Sequence, residues 1–109
     1  MGINILKPEK EGYEIKHIFE NWRVAYLQYA DRFDNITYME RHLQTDEIFI
    51  LVEGSASLIT DDKTIKMDKN IMYNVTQGTW HNIKVSHDAL VVIIENANTS
   101  KDNTEYKAY

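Results

Sequence analysis

Hydrophobic and polar residues alternate with a period of two along most of the chain, in short segments separated by polar clusters. This pattern is typical of β-strands that have one face in a core. No segment sustains the 3.6-residue period of a helix over three turns. The pattern predicts about eight or nine short strands, over residues 15–19, 22–29, 36–42, 46–53, 55–60, 64–67, 71–75, 80–85 and 90–95. Many short strands with short connections favour an all-β sandwich or closed barrel.

Two segments depart from simple alternation. Ile48 to Val52 is apolar on both faces, and the face that is not in the core is then free to pack against a second subunit. We therefore expect a homodimer. Residues 96–109 (NANTSKDNTEYKAY) are polar and are predicted to fray or to lie along a neighbour, which leaves a core of about residues 13–95.

Length, charge and composition narrow the class of protein. A chain of 109 residues predicts one domain over residues 1–109. The net charge of −5, without a run of lysines or arginines, argues against a nucleic-acid partner. No apolar stretch approaches the roughly 20 residues of a membrane helix. The chain has no cysteine and its first residues do not resemble a signal peptide, so a cytoplasmic protein is expected.

Histidines and carboxylates form the candidate chemistry. Alternation in the strand over residues 36–42 places Glu40 and His42 on one face, about 7 Å apart. Glu47 opens the next strand and can return beside them, while His81 follows a glycine-containing loop much later in the chain. Two imidazoles and two carboxylates that converge in a barrel would bind a divalent ion. Mixed nitrogen and oxygen donors suit Mn, Fe, Co, Ni or Zn.

The first of these stretches resembles the first motif of the cupin superfamily, a glycine, two histidines, a glutamate and a second glycine at fixed spacing. The matching positions are Asp34, Glu40, His42, Glu47 and Gly54. The last three keep the residue types of the family. Glu40 stands in place of the first histidine, so an oxygen donor replaces a nitrogen donor.

The second cupin motif matches more weakly, at Asn70, Thr76, Gly78, His81 and Val85. Of these, Gly78 and His81 keep the residue types of the family. Both Asp34 of the first motif and Asn70 stand where glycine is usual, and both residue types tolerate left-handed backbone. The two motifs cover residues 34–85, and further strands lie on both sides.

The resemblance implies a double-stranded β-helix, or jelly-roll barrel, with a metal held by His42, Glu47, His81 and Glu40. It also implies isomerase, epimerase, lyase or oxygenase chemistry on a small polar metabolite such as a sugar or an organic acid. The alternative function is a non-catalytic module that binds or senses a small molecule.

The residues themselves leave several roles open. His42, Glu47 and His81 could instead form buried hydrogen bonds in an empty barrel. Glu40 could be a metal ligand, a catalytic general base, or a salt-bridge partner of Arg41 or Arg23. Three aromatic side chains could line a substrate pocket or belong to the core, namely Tyr26, Tyr38 and Phe49.

Overall fold

Ten β-strands and two short 3₁₀ turns make up the regular structure in a computed structural model that describes residues 2–109. The strands are β1 (Gly12–Phe19), β2 (Trp22–Gln28), β3 (Tyr38–His42), β4 (Glu47–Glu53), β5 (Ala56–Thr60), β6 (Thr64–Lys66), β7 (Met72–Val75), β8 (His81–Val85), β9 (Leu90–Asn96) and β10 (Thr104–Ala108). The 3₁₀ turns are Asp31–Phe33 and Lys101–Asn103. Each predicted strand segment overlaps one of β1 to β9. Within residues 2–109, no helix has the length and apolar character needed to cross a bilayer.

The strands form two five-stranded antiparallel sheets that pack face to face. One sheet has the order β1-β2-β9-β4-β7, and the other has the order β10-β3-β8-β5-β6. The predicted all-β fold with two packed sheets is therefore confirmed. Alternation fixes which side chains enter the core, so that Phe49 and Leu51 of β4 and Val91 and Ile93 of β9 are each no more than 3% exposed.

The polar C-terminal segment contributes an edge strand, which differs from the expectation of a frayed or neighbour-bound tail. Strand β10 pairs with β3 of the same chain over five positions, from Thr104 opposite His42 to Ala108 opposite Tyr38. Thr104 is buried although most of the segment is exposed. Backbone pairing thus holds β10 in place where hydrophobic alternation is too weak to reveal a strand.

Strands β3 and β8 are neighbours in the sheet that begins with β10, but their ladder is short. The position at which they pair is Glu40 opposite His81. This sheet is therefore open beside the core. Below this paired position, the Asn82 side chain donates to the Tyr38 carbonyl oxygen at 2.8 Å, and its own carbonyl oxygen accepts from the Ile83 amide at 2.8 Å. A side chain therefore replaces main-chain pairing where the two strands separate, which leaves room for a cavity.

Gly54 and Gly78 differ in how closely the rest of the chain packs around them. Both have left-handed backbone, at φ 72° and 81°. A Cβ atom at Gly54 would lie 2.7 Å from the Ala89 Cα atom, whereas one at Gly78 would meet nothing within 4 Å. We expect Gly78→Ala to lower the free energy of unfolding by about 1 kcal/mol, from backbone strain alone. Gly54→Ala should lower it by about 3 kcal/mol because backbone atoms must also move. Equal losses in urea unfolding would contradict this packing.

Candidate metal centre

A cavity of about 730 Å³ lies between the two sheets. This volume is in the usual range for sites that bind small molecules. Six of the residues predicted from the sequence line it, namely Tyr38, Glu40, His42, Glu47, Phe49 and His81.

The predicted histidines and Glu47 meet at the buried end of this cavity. His42 and His81 come from neighbouring strands of one sheet, and Glu47 reaches them from β4 of the other sheet. The Glu47 Oε1 atom lies 3.1 Å from His42 Nε2 and 2.9 Å from His81 Nε2. All three residues are less than 10% exposed. The two sheets therefore bring these distant parts of the chain together.

The second nitrogen of each imidazole is also bonded, which fixes the orientation of both rings. His81 Nδ1 lies 2.9 Å from the Thr79 carbonyl oxygen, which can only accept, so Nδ1 carries a proton. His42 Nδ1 lies 3.0 Å from the Thr104 hydroxyl oxygen. When His81 is neutral, the lone pair on its Nε2 atom therefore faces a carboxylate oxygen of Glu47. This nitrogen and this oxygen are both acceptors and lie 2.9 Å apart, so a proton or a cation is required between them.

The pKa shifts of His42, His81 and Glu47 also favour positive charge at this cluster. Burial opposes charging of His81 and His42, but the hydrogen bond and negative charge of Glu47 outweigh burial and raise the pKa of each imidazole. Burial alone would raise the pKa of Glu47. The hydrogen bonds from the two histidines and their charge lower it to about 2. Glu47 is therefore a carboxylate whose charge is stabilised by its neighbours.

Glu40 lies at the edge of this cluster. Its Oε1 atom is 3.8 Å from His42 Nε2, and 28% of its side chain is exposed against 6% for Glu47. Burial raises its pKa, an effect that the charge of His42 partly offsets. Arg41 and Arg23, the alternative partners from the sequence, pair instead with Glu105 and Glu95. Glu40 is thus the carboxylate of the cluster that faces the open cavity.

Glu95 on β9 is a member of the site that the sequence analysis did not identify. It lies opposite Glu47 in the β4–β9 ladder and is 6% exposed. Its carboxylate accepts from the Tyr13 hydroxyl at 3.0 Å and from Arg23 Nη2 at 3.3 Å. Burial and the charge of Glu47 raise the pKa of Glu95 to about 7. The signal in the sequence was the alternation of Val91, Ile93 and Glu95, which places a carboxylate on an inward apolar face.

The donor atoms of this cluster could hold a metal ion. Two groups have ligand atoms that lie within 4.8 Å of one another, Glu40–His42–His81 and His42–Glu47–Glu95. Adjacent ligands of an ion with bonds of about 2.1 Å lie roughly 3 Å apart, which matches the nitrogen–oxygen distances at Glu47. The bonds of both Nδ1 atoms resemble the outer contacts that usually orient metal-bound imidazoles. These residues could therefore hold Mn, Fe, Co, Ni or Zn.

The three candidate pocket aromatics separate into two groups. Tyr38 lines the cavity near Glu40, and the buried Phe49 ring meets the edge of His81 with ring centroids 6.0 Å apart. Tyr26 lies on the outer face of β2, because its neighbours Ala25 and Leu27 point into the core. Its hydroxyl donates to the Leu6 carbonyl oxygen at 3.1 Å. Contrary to the prediction, Tyr26 does not line the cavity.

No protein-family model and no curated protein matches this sequence. Solved structures match its fold. A cupin-2 domain protein from Shewanella frigidimarina has 20% identity and a TM-score of 0.66, over 78% of this chain and 79% of that chain. KdgF from Halomonas sp. has 14% identity and a TM-score of 0.63, over 83% and 80%. A variant of Streptomyces PAC13 with uridine has 8% identity and a TM-score of 0.74, over 100% and 93%. PAC13 is described as a nucleoside dehydratase.

The two packed sheets and the buried histidine–glutamate cluster define a small β-barrel protein with a ligand-sized cavity. The barrel has the fold of the cupin superfamily. The resemblance found in the sequence motifs is confirmed at the level of the fold.

Proposed function

We propose that this protein binds a divalent transition metal through His42, His81 and Glu47, with Glu40 beside them as the catalytic base, and acts on a small polar metabolite. The observation that carries this proposal is the meeting of two imidazole Nε2 atoms at one carboxylate oxygen, 2.9 and 3.1 Å away. This cluster lies at the buried end of a cavity of about 730 Å³. The complex of the similarly folded PAC13 with uridine supports a small-molecule ligand in such a barrel.

The reaction class that fits these residues is proton transfer at a carbon beside a carbonyl, as in isomerases, epimerases and lyases. A bound divalent ion supplies Lewis-acid polarisation of the carbonyl or hydroxyl oxygen. The chain holds both imidazoles in place through the Thr79 carbonyl and Thr104 hydroxyl. Glu40 faces the cavity and is positioned to take a proton from the substrate carbon at a carboxylate oxygen.

Proton transfer is tested by solvent exchange. Metal-loaded and chelator-stripped protein would be incubated in D2O with a panel of sugars and carboxylic acids and followed by proton NMR. We expect deuterium at a carbon-bound position of one compound with the loaded protein, and none with the stripped protein or with Glu40→Gln. Exchange that persists without metal would contradict the proposal. Thermal stabilisation by a compound that shows neither exchange nor turnover would favour the non-catalytic binding module instead.

A homodimer is part of this proposal because the outer face of the first sheet is apolar. In the register of the sheet, two rows of outward side chains cross β2, β9 and β4, namely Val24–Ile94–Ile48 and Tyr26–Val92–Ile50. Subunit interfaces are depleted in charge at their centres, as these rows are. A second copy that presents the same face would cover both.

Light scattering tests this arrangement. We expect twice the 12.8 kDa chain mass for the wild type. Ile50→Lys should reduce the mass to that of one chain, because it places a charge in the middle of the apolar rows. The control Leu43→Lys changes an exposed residue in the turn after β3 and should remain dimeric. A wild type that runs as a single chain would exclude the dimer.

A further inference from the structure

The mouth of the cavity carries positive charge although the protein as a whole is acidic. Arg32, from the 3₁₀ turn over Asp31–Phe33, and Lys101, from the second 3₁₀ turn, both line the cavity and are both exposed. Within residues 2–109, neither side chain forms an ion pair with a carboxylate, whereas Arg23, Arg41, Lys84 and Lys107 do. Neither of these two cations therefore has a carboxylate within ion-pair distance in the described part of the chain.

Arg32 is held in a defined position at this mouth. Its guanidinium carbon lies 4.1 Å from the centre of the Phe33 ring, and Nη1 donates to the Tyr38 hydroxyl at 2.8 Å. Stacking on one face and a bond from one nitrogen leave the other N–H groups of the guanidinium fork available. A planar fork held in this way matches the oxygens of a carboxylate or phosphate better than a flexible lysine does.

Tyr38 adds a second donor to the same place. Its hydroxyl oxygen accepts from Arg32, so its own proton can be donated to a ligand. The Tyr38 ring meets the edge of the Tyr106 ring, with centroids 5.9 Å apart, and both rings line the cavity. An anionic group bound here would therefore meet an N–H donor, an O–H donor and an aromatic wall.

The donor pair and His42 lie at different points along β3. Tyr38, Glu40 and His42 lie on the same face of β3, and at the rise of a β-strand the first and last Cα atoms are about 13 Å apart. The cavity volume of about 730 Å³ has room for a hydroxylated molecule of monosaccharide size with its anionic group at one end.

We propose that the ligand of this cavity carries an oxyanion, a carboxylate or phosphate, which Arg32 and Tyr38 bind at the mouth. The remainder of the ligand then extends toward His42 and His81. The reaction proposed for the part of the ligand near His42 and His81 rests on the proposed function. The preference for an anionic group rests on the mouth alone and does not need the metal.

Binding of three probes by calorimetry tests this preference. Glucuronate and glucose 6-phosphate carry the two candidate anions on a sugar, and glucose carries neither. For the wild type, we expect one charged probe to bind at least about tenfold more tightly than glucose, or 1.4 kcal/mol. The charged probe that binds identifies the anion. Arg32→Gln should abolish this difference, whereas Lys63→Gln, a charge removed from the exposed β5–β6 turn, should leave it unchanged.

Two results would overturn the inference: neither charged probe binds more tightly than glucose, or Arg32→Gln keeps the discrimination of the wild type. The measurements are made on metal-free protein and on protein loaded in turn with Mn, Fe, Co, Ni and Zn, so that the two proposals fail separately. Discrimination that depends on Arg32 in a protein that binds none of these metals would refute the metal-dependent function and leave the oxyanion site standing.

Discussion

Replacing either His42 or His81 by alanine is expected to reduce the bound metal from about one ion per chain to nearly none. Each substitution removes an imidazole nitrogen that faces the Glu47 carboxylate from within 3.1 Å. The remaining donors would be one imidazole and carboxylates, a set that competes poorly with water for a transition metal. Elemental analysis of the purified proteins after dialysis measures the change.

His17→Ala is the matched control for this prediction. His17 is an exposed residue of β1 that packs beside Trp22, away from the cavity residues. Its replacement should leave the metal content at the level of the wild type. Equal metal content in the wild type and in both cavity variants would refute the metal site, and the cluster would then be a set of buried hydrogen bonds.

The second large effect is on stability, at Arg23. This side chain is 13% exposed and pairs with the Glu95 side chain, which is 3% exposed. It also donates to the Thr99 carbonyl oxygen at 3.1 Å. Arg23→Met retains much of the apolar stem but leaves Glu95 beside Glu47 without its cation. Removal of one partner from a buried pair costs roughly 3 to 5 kcal/mol. We expect about 3 kcal/mol, because the raised pKa of Glu95 lets it take up a proton instead of remaining charged.

Arg41→Met is the control for Arg23→Met. Arg41 pairs with Glu105 at 2.7 Å, but the two side chains are 35% and 49% exposed. Ion pairs in contact with solvent contribute about 0 to 1 kcal/mol, so this variant should unfold at nearly the urea concentration of the wild type. A loss as large as that of Arg23→Met would show that burial does not distinguish the two pairs.

Strand β3 shows what the sequence alone predicts well. Side chains in a strand alternate strictly between two faces, so the shared direction of Glu40 and His42 follows from their spacing. The meeting of these residues with Glu47 and His81 needed the topology of both sheets, which the resemblance to a known barrel supplied. The structure places all four at the same cavity.

Residues whose partners come from distant strands were harder to predict. In the sequence, Glu95 is a glutamate at the end of an apolar strand. The β4–β9 register is needed to show that it lies opposite Glu47. Strand β10 has too little hydrophobic alternation to be recognised, and its position depends on the backbone of β3. Tyr26 is misassigned because alternation gives two faces without stating which one is inside. Pairing between strands, rather than local propensity, decides all three cases.

Anomalous diffraction at the absorption edge of the bound metal, from crystals of metal-loaded protein, locates the ion. We expect one strong peak about 2.1 Å from the Nε2 atoms of His42 and His81 and from an oxygen of Glu47. No peak between the two sheets, or one bound to other residues, would contradict it.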